Sequence, residues 1–157
     1  MLKITPFLWF DGHAEEAARL YVSLFKNSRI GAISRYGPGA PAPEGAVMTV
    51  AFELDGLPVT ALNGGPVFKF TEAMSFSVSC EDQGEVDRLW TALTDGGQES
   101  QCGWLKDRFG FSWQIVPEAL PRLLGDPDRA RAGRAMQAML KMRKIDIAEL
   151  ERAAAGA

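Results

Sequence analysis

Residues 101–117, QCGWLKDRFGFSWQIVP, hold two strand patterns and the turn that joins them. Asp107-Arg108-Phe109-Gly110 is that turn: Asp opens it by bonding nearby amides, and Gly closes it by accepting positive φ. Strand side chains alternate, so Phe111, Trp113 and Ile115 share one face while Ser112, Gln114 and Val116 share the other. The first face belongs in a core. The second carries an uncharged amide, and Gln114 is expected to look into whatever site the protein has.

Upstream of this hairpin, Met74 to Cys80 reads as a strand and Gly84 to Thr94 as a helix with Val86, Leu89, Trp90 and Leu93 inward, stopped by Asp95-Gly96-Gly97. Gln98 to Trp104 and Leu105 to Asp107 complete the strands before the turn. The N-terminal half has the same order. Lys3 to Phe10 is a strand, Asp11-Gly12-His13 a turn with Asp11 as cap or turn former, and Ala14 to about Phe25 a helix. Arg29 to Tyr36 is a strand, and GPGAPAPEG at 37–45 a loop. Ala46 to Leu54 and Leu57 to Asn63 form a hairpin around Asp55-Gly56, and Gly64 to Glu72 connects the halves. The letters repeat too: Arg19-Leu20-Tyr21-Val22-Ser23-Leu24 returns sixty-nine positions later as Arg88-Leu89-Trp90-Thr91-Ala92-Leu93. The expected class is α+β, with two βαβββ units packed as one domain. Their bounds are 1–72 and 73–117, followed by a helical extension over 118–157.

Alternation places Phe7, Trp9, Val59, Ala61, Phe76, Val78, Trp113 and Ile115 toward the helices. Pro6, Leu8, Phe10, Pro58, Thr60, Leu62, Ser75, Ser77, Ser79, Ser112 and Gln114 then fall on the opposite faces. Small, mixed, partly polar side chains fill a dry core poorly and line a ligand cavity well. In the extension, Ala119 to Leu124 is a short helix and Asp126-Pro127 starts a longer one. There Met136, Met139, Leu140 and Met142 make an apolar stripe for a sheet edge or a second subunit. Arg129, Arg131, Arg134, Lys141, Arg143 and Lys144 read as a solvated basic face. Asp146 caps a last helix through Arg152.

Forty-six per cent hydrophobic residues and a net charge of −3 describe an ordinary globular chain with no field to recruit nucleic acid or an acidic membrane. No apolar run approaches a bilayer span, and the opening MLKITPFLWFDGH breaks at Asp11. Cys80 and Cys102 form neither a metal spacing nor a redox pair, which fits free thiols in the cytoplasm.

Four strings carry a resemblance: LNGGPVFKF at 62–70, SFSVSC at 75–80, CGWLKDRFGFSWQIVP at 102–117 and AMLKMRKIDIAEL at 138–150. From about Leu2 to Glu151 the chain resembles the PhnB-like family, labelled 3-demethylubiquinone-9 3-methyltransferase. That family belongs to the vicinal oxygen chelate superfamily of glyoxalase I, bleomycin-resistance proteins and extradiol dioxygenases. The resemblance implies paired βαβββ modules, each curling its sheet around a cavity, commonly assembled as homodimers. It also implies a divalent metal on His or Glu of the first and fourth strands. Aligned landmarks put Pro6, Thr60, Ser77 or Ser75, and Gln114 at those positions, and none offers an imidazole or a carboxylate. The only histidine, His13, lies in a turn. An S-adenosylmethionine fold would need a Gly-rich strand-to-helix turn on an α/β sheet, and Gly64-Gly65-Pro66 opens no helix. The expectation is a cytoplasmic homodimer that binds a small, partly apolar molecule without metal or cofactor. Thr60, Asn63, Ser77 and Gln114 would supply hydrogen bonds, Phe10, Phe68 and Phe70 apolar walls, Trp104 an edge contact and Lys69 a cation. Lys106 and Asp107 are expected as turn and surface residues. Methyl transfer or other quinone-related chemistry, and drug or toxin sequestration, are the alternatives.

Overall fold

The computed structural model describes residues 2–157, and the chain divides after Phe70 into two compact units, Met1–Phe70 and Thr71–Ala157. In the first unit the order is β1 (Phe7–Phe10), α1 (Ala14–Leu24), β2 (Arg29–Arg35), β3 (Val47–Leu54) and β4 (Leu57–Asn63). These strands form one sheet in the order β1-β4-β3-β2, with β1 parallel to β4 and the other pairs antiparallel. Asp55 and Gly56 both sit at positive φ, 48° and 80°, as a two-residue hairpin between right-twisted strands requires. Ala14, Ala17, Ala18 and Tyr21 of α1 are buried, as are Val50, Phe52, Val59 and Ala61 of the sheet.

In β1 the alternation is the reverse of expectation. Leu8 and Phe10 are 2% and 3% exposed while Phe7 is 61% exposed, so Leu8 and Phe10 lie on the helix side with Ala61 and Asn63. Phe7 and Trp9 share the open side with Thr60 and Leu62. The cause is one residue. Three residues link β1 to α1 but two link the equivalent strand and helix of the second unit, so a repeat aligned on helix letters slips the strand by one and swaps its faces. Asp11 does not cap α1 either. His13 is the N-cap but its side chain, which meets Glu16, accepts from no helix amide, and Asn63 of β4 accepts the Ala14 amide at 2.9 Å.

The second unit repeats the plan with β5 (Ser75–Cys80), α2 (Gln83–Thr94), β6 (Gln98–Glu99), β7 (Trp104–Lys106) and β8 (Ser112–Pro117), in the sheet order β5-β8-β7-β6. Val86, Leu89, Trp90 and Leu93 of α2 are buried. So are Phe111, Trp113 and Ile115, and Phe76 meets the Phe111 and Trp113 rings edge-on at 5.0 and 5.5 Å. The strand expected over 98–104 is shorter. Cys102 and Gly103 turn the backbone through φ of 59° and 86°, which ends β6 after Glu99. The expected turn does close the hairpin, with the Gly110 amide donating to the Asp107 carbonyl at 2.9 Å. Asp107 itself is not a surface residue. It is 2% exposed, and its carboxylate accepts from the Phe109 and Phe111 amides and from Trp113 Nε1, all at 2.9–3.0 Å. That is how a buried charge is tolerated.

After β8 come α3 (Ala119–Leu124), α4 (Arg129–Met139) and α5 (Ile147–Ala155). Asp128 and Asp146 cap the last two through their side chains. The methionine stripe is broken: Ala132 and Ala135 face inward, Met136 and Leu140 are exposed, and Met139 and Met142 flank a core of Leu120, Leu123, Ala135, Ile145, Leu150 and Ala154. The extension is tied to its own unit. Cys102 and Gly103 donate amides to the Met142 and Arg143 carbonyls, and the Gln83 amide group bonds both Ile145 O and Ile147 N. Most of the basic residues have local partners: Arg131 with Asp126, Arg143 with Glu99, Lys144 with Asp87, and Arg134 with the last carbonyls of α5. Among the described residues, no helix is long and apolar enough to cross a membrane.

Candidate functional site

Strand register sets the chemistry of the second sheet's open face. Ser112, Trp113 and Gln114 of β8 each have one neighbour on β7 and one on β5, so this part of the face is built in rows. Lys106, Ser112 and Ser75 make one row, and Trp104, Gln114 and Ser77 the next. The expected residues Gln114, Ser77 and Trp104 thus come together on one surface. Gln114 Nε2 donates to Ser75 Oγ at 3.0 Å, which holds the amide across the parallel pair. Lys106, read from sequence as a surface residue, stands on this face because Leu105 before it takes the core side. Its ammonium pairs with Glu72, and that contact holds the Glu72 carboxyl below the usual range. The alternation of Trp104-Leu105-Lys106 was the signal that would have found it.

The first sheet's open face is different. Phe7, Trp9, Thr60 and Leu62 lie there with Thr49 and Ala51 of β3. Trp9 Nε1 donates to the Gly65 carbonyl at 2.9 Å, its ring lies against Gly64, and Phe68 meets it edge-on at 5.0 Å. A Cβ on Gly64 would come within 2.3 Å of that indole. Of the expected site residues, Thr60 and Phe68 are on this side and Lys69 is exposed in the connector. Phe10 and Asn63 are not. Phe10 is buried on the helix side against Phe70, and Asn63 spends its amide on Ala14 N and Val47 O. Both are corrections: Phe10 follows the slipped register of β1, whereas Asn63 follows the alternation of β4, which puts it on the helix side with Val59 and Ala61.

A divalent metal does not fit these residues. With the corrected register, Phe7 rather than Pro6 stands opposite Thr60, as Ser77 stands opposite Gln114. The first unit then offers Phe7 and Thr60 and the second Ser77 and Gln114, neutral oxygens and a phenyl ring, in either unit too weak a field to strip an ion of its water. Among the described residues, no group of three or more His, Cys, Asp or Glu side chains converges as a metal site. Cys80 is buried, and that burial, with Glu85 nearby, pushes its thiol up to about 12, so it is inert at neutral pH. Two cavities in the second unit lie away from the sheet. One, of about 600 Å³, is lined by residues including Glu81, Glu118, Arg122 and Asp146, and another, of about 920 Å³, lies along α4 and α5.

Two βαβββ modules, each with a helix on one side of its sheet and an open second side, make up the vicinal oxygen chelate fold. The family described as 3-demethylubiquinone-9 3-methyltransferase matches residues 2–116, and the chain belongs to that family. The structure of a PhnB protein from Bacillus cereus, which bears the same methyltransferase label, is 38% identical; the match covers 74% of this chain and 99% of that one, with a TM-score of 0.69. A Pseudomonas aeruginosa protein shares the fold at 24% identity, covering 75% and 98% of the two chains with a TM-score of 0.62. A glyoxalase-related enzyme from Fulvimarina pelagi is similar at 16% identity over 76% and 91%, with a TM-score of 0.45. No curated protein matches. The string AMLKMRKIDIAEL and the whole helical extension lie outside the residues matched by the family.

Proposed function

We propose that this protein binds a small, partly apolar molecule on the open side of its sheets and works without a metal centre or S-adenosylmethionine. One observation carries the reading: where the superfamily places chelating side chains, this chain presents Thr60, Ser77 and Gln114, which hydrogen-bond without binding metal. Trp104 and Phe68 supply apolar surface beside them. Pairing with a second copy in the cytoplasm belongs to the same reading, supported by Phe7, Val67 and Phe68 standing more than half exposed on the first unit. The test is elemental analysis with native mass spectrometry of the purified protein. A copurifying organic ligand lost on Gln114→Ala, with no stoichiometric metal, is expected; a bound metal released by that substitution contradicts the proposal.

The family's description favours a second reading, methyl transfer. In that case S-adenosylmethionine raises the melting temperature, since a ligand of the native state stabilises it by mass action. Neither sheet is the mainly parallel α/β sheet on which the standard form of that cofactor site is built, and no shift is expected.

A further inference from the structure

Among the described residues, Ser112 Oγ is the one buried side-chain polar atom without a hydrogen-bond partner, in a residue 1% exposed. An unmade bond of that kind costs about 1–3 kcal/mol. Such a group needs an explanation, and a ligand is one. Ser112 lies between Lys106 on β7 and Ser75 on β5. Ser75 Oγ already accepts from Gln114, so its own proton is left to donate. The row therefore holds two hydroxyl donors beside an ammonium, and its one carboxylate is Glu72, which reaches Lys106 from the exposed segment before β5. Glu72 is a tethered demonstration that an anionic oxygen fits against Lys106. In the adjacent row Trp104 offers a flat apolar surface.

We propose that this row binds the carboxylate of a small planar acid, displacing Glu72 from Lys106, with the ring of the acid lying on the Trp104 indole. The proposal rests on the function given above and adds the charge and shape of the ligand. Once Glu72 has moved, a carboxylate makes a charge-assisted contact with Lys106 where an amide makes a neutral one, so the site prefers an acid to its amide.

The test is a titration of the full chain, followed by NMR, with benzoate and benzamide as probes. Benzoate binds about tenfold tighter than benzamide. Lys106→Met removes that preference, and Glu72→Gln tightens benzoate several-fold by removing the competitor. Ser112→Ala weakens benzoate yet leaves the melting temperature equal or higher, because an apolar group replaces an unsatisfied hydroxyl. A merely structural serine would instead lower the melting temperature and leave benzoate binding unchanged, which overturns the proposal. Equal affinities for the two probes, or benzoate binding indifferent to Lys106→Met, also overturn it. If either probe still binds in a Gln114-dependent way, the parent reading survives; if neither does, both fall.

Discussion

The two sheets share a strand order and a helix-side core, yet they differ on the side that folding leaves free. The first presents Phe7, Trp9, Thr60 and Leu62, the second Lys106, Ser112, Ser75, Trp104, Gln114 and Ser77. They differ also in how the same backbone problem is met. The first helix borrows its amide acceptor from Asn63 on a distant strand, whereas the second uses its own Asp82, which accepts from the Glu85 amide at 2.9 Å. The first hairpin turns on an exposed Asp55 and the second on a buried Asp107. Strand pairing and the helix-side core specify the topology, so caps, turns and open faces are where the two modules can diverge. Ligand chemistry belongs on the latter.

The contrast between the hairpins gives the largest expected effect. Asp107→Ala strips three donors of a buried acceptor and should cost about 3–4 kcal/mol in urea unfolding, while Asp55→Ala, which only loses a side chain tolerant of positive φ, costs about 1 kcal/mol. Equal losses would mean that the Asp107 carboxylate is not the anchor of its turn. Between the caps the gap is narrower. Asn63→Ala gives up bonds to both Ala14 and Val47 and should cost about 2 kcal/mol, against about 1 kcal/mol for Asp82→Ala.

Both thiols lie in the second unit, and the first has none. Cys80 stays protonated in the folded protein to about 12 but ionises near 9 when unfolded. The unfolded state therefore binds fewer protons above pH 9, and stability from this group, intact below that pH, is lost toward 12 at about 1.4 kcal/mol per unit. Denaturant midpoints measured from pH 8 to 10 should fall in the wild type and fall less in Cys80→Ala. Smallest is the difference in labelling: at pH 8 a thiol reagent should modify the half-buried Cys102 and spare Cys80 until the chain unfolds.

Much of this was legible in the letters. The faces of β8 were readable because Phe111, Trp113 and Ile115 are large and their neighbours small or polar. In β1 every residue is apolar, so only the register of the repeat could orient it, and the extra residue of its turn misled that register. Asp107 was read as exposed because an acidic turn residue usually is; its burial depends on Trp113 Nε1, a partner that alternation cannot reveal. Within the extension, α4 hides its buried face in Ala132 and Ala135, which no search for large apolar residues detects. Gln114, Ser77 and Trp104 came together because they lie in a single row of one sheet, whereas Phe10 dropped out with the strand that slipped and Asn63 with the helix-side alternation of β4.

The most direct measurement is amide and indole chemical-shift mapping of the wild-type chain during a benzoate titration in the presence of a chelator. Shifts concentrated at Trp104 Nε1, Ser75, Ser112 and the Gln114 side-chain amide, unchanged by the chelator, are the predicted result. Shifts confined to the cavity along α4 and α5, or appearing only when a divalent ion is added, would contradict a metal-free site on the second sheet.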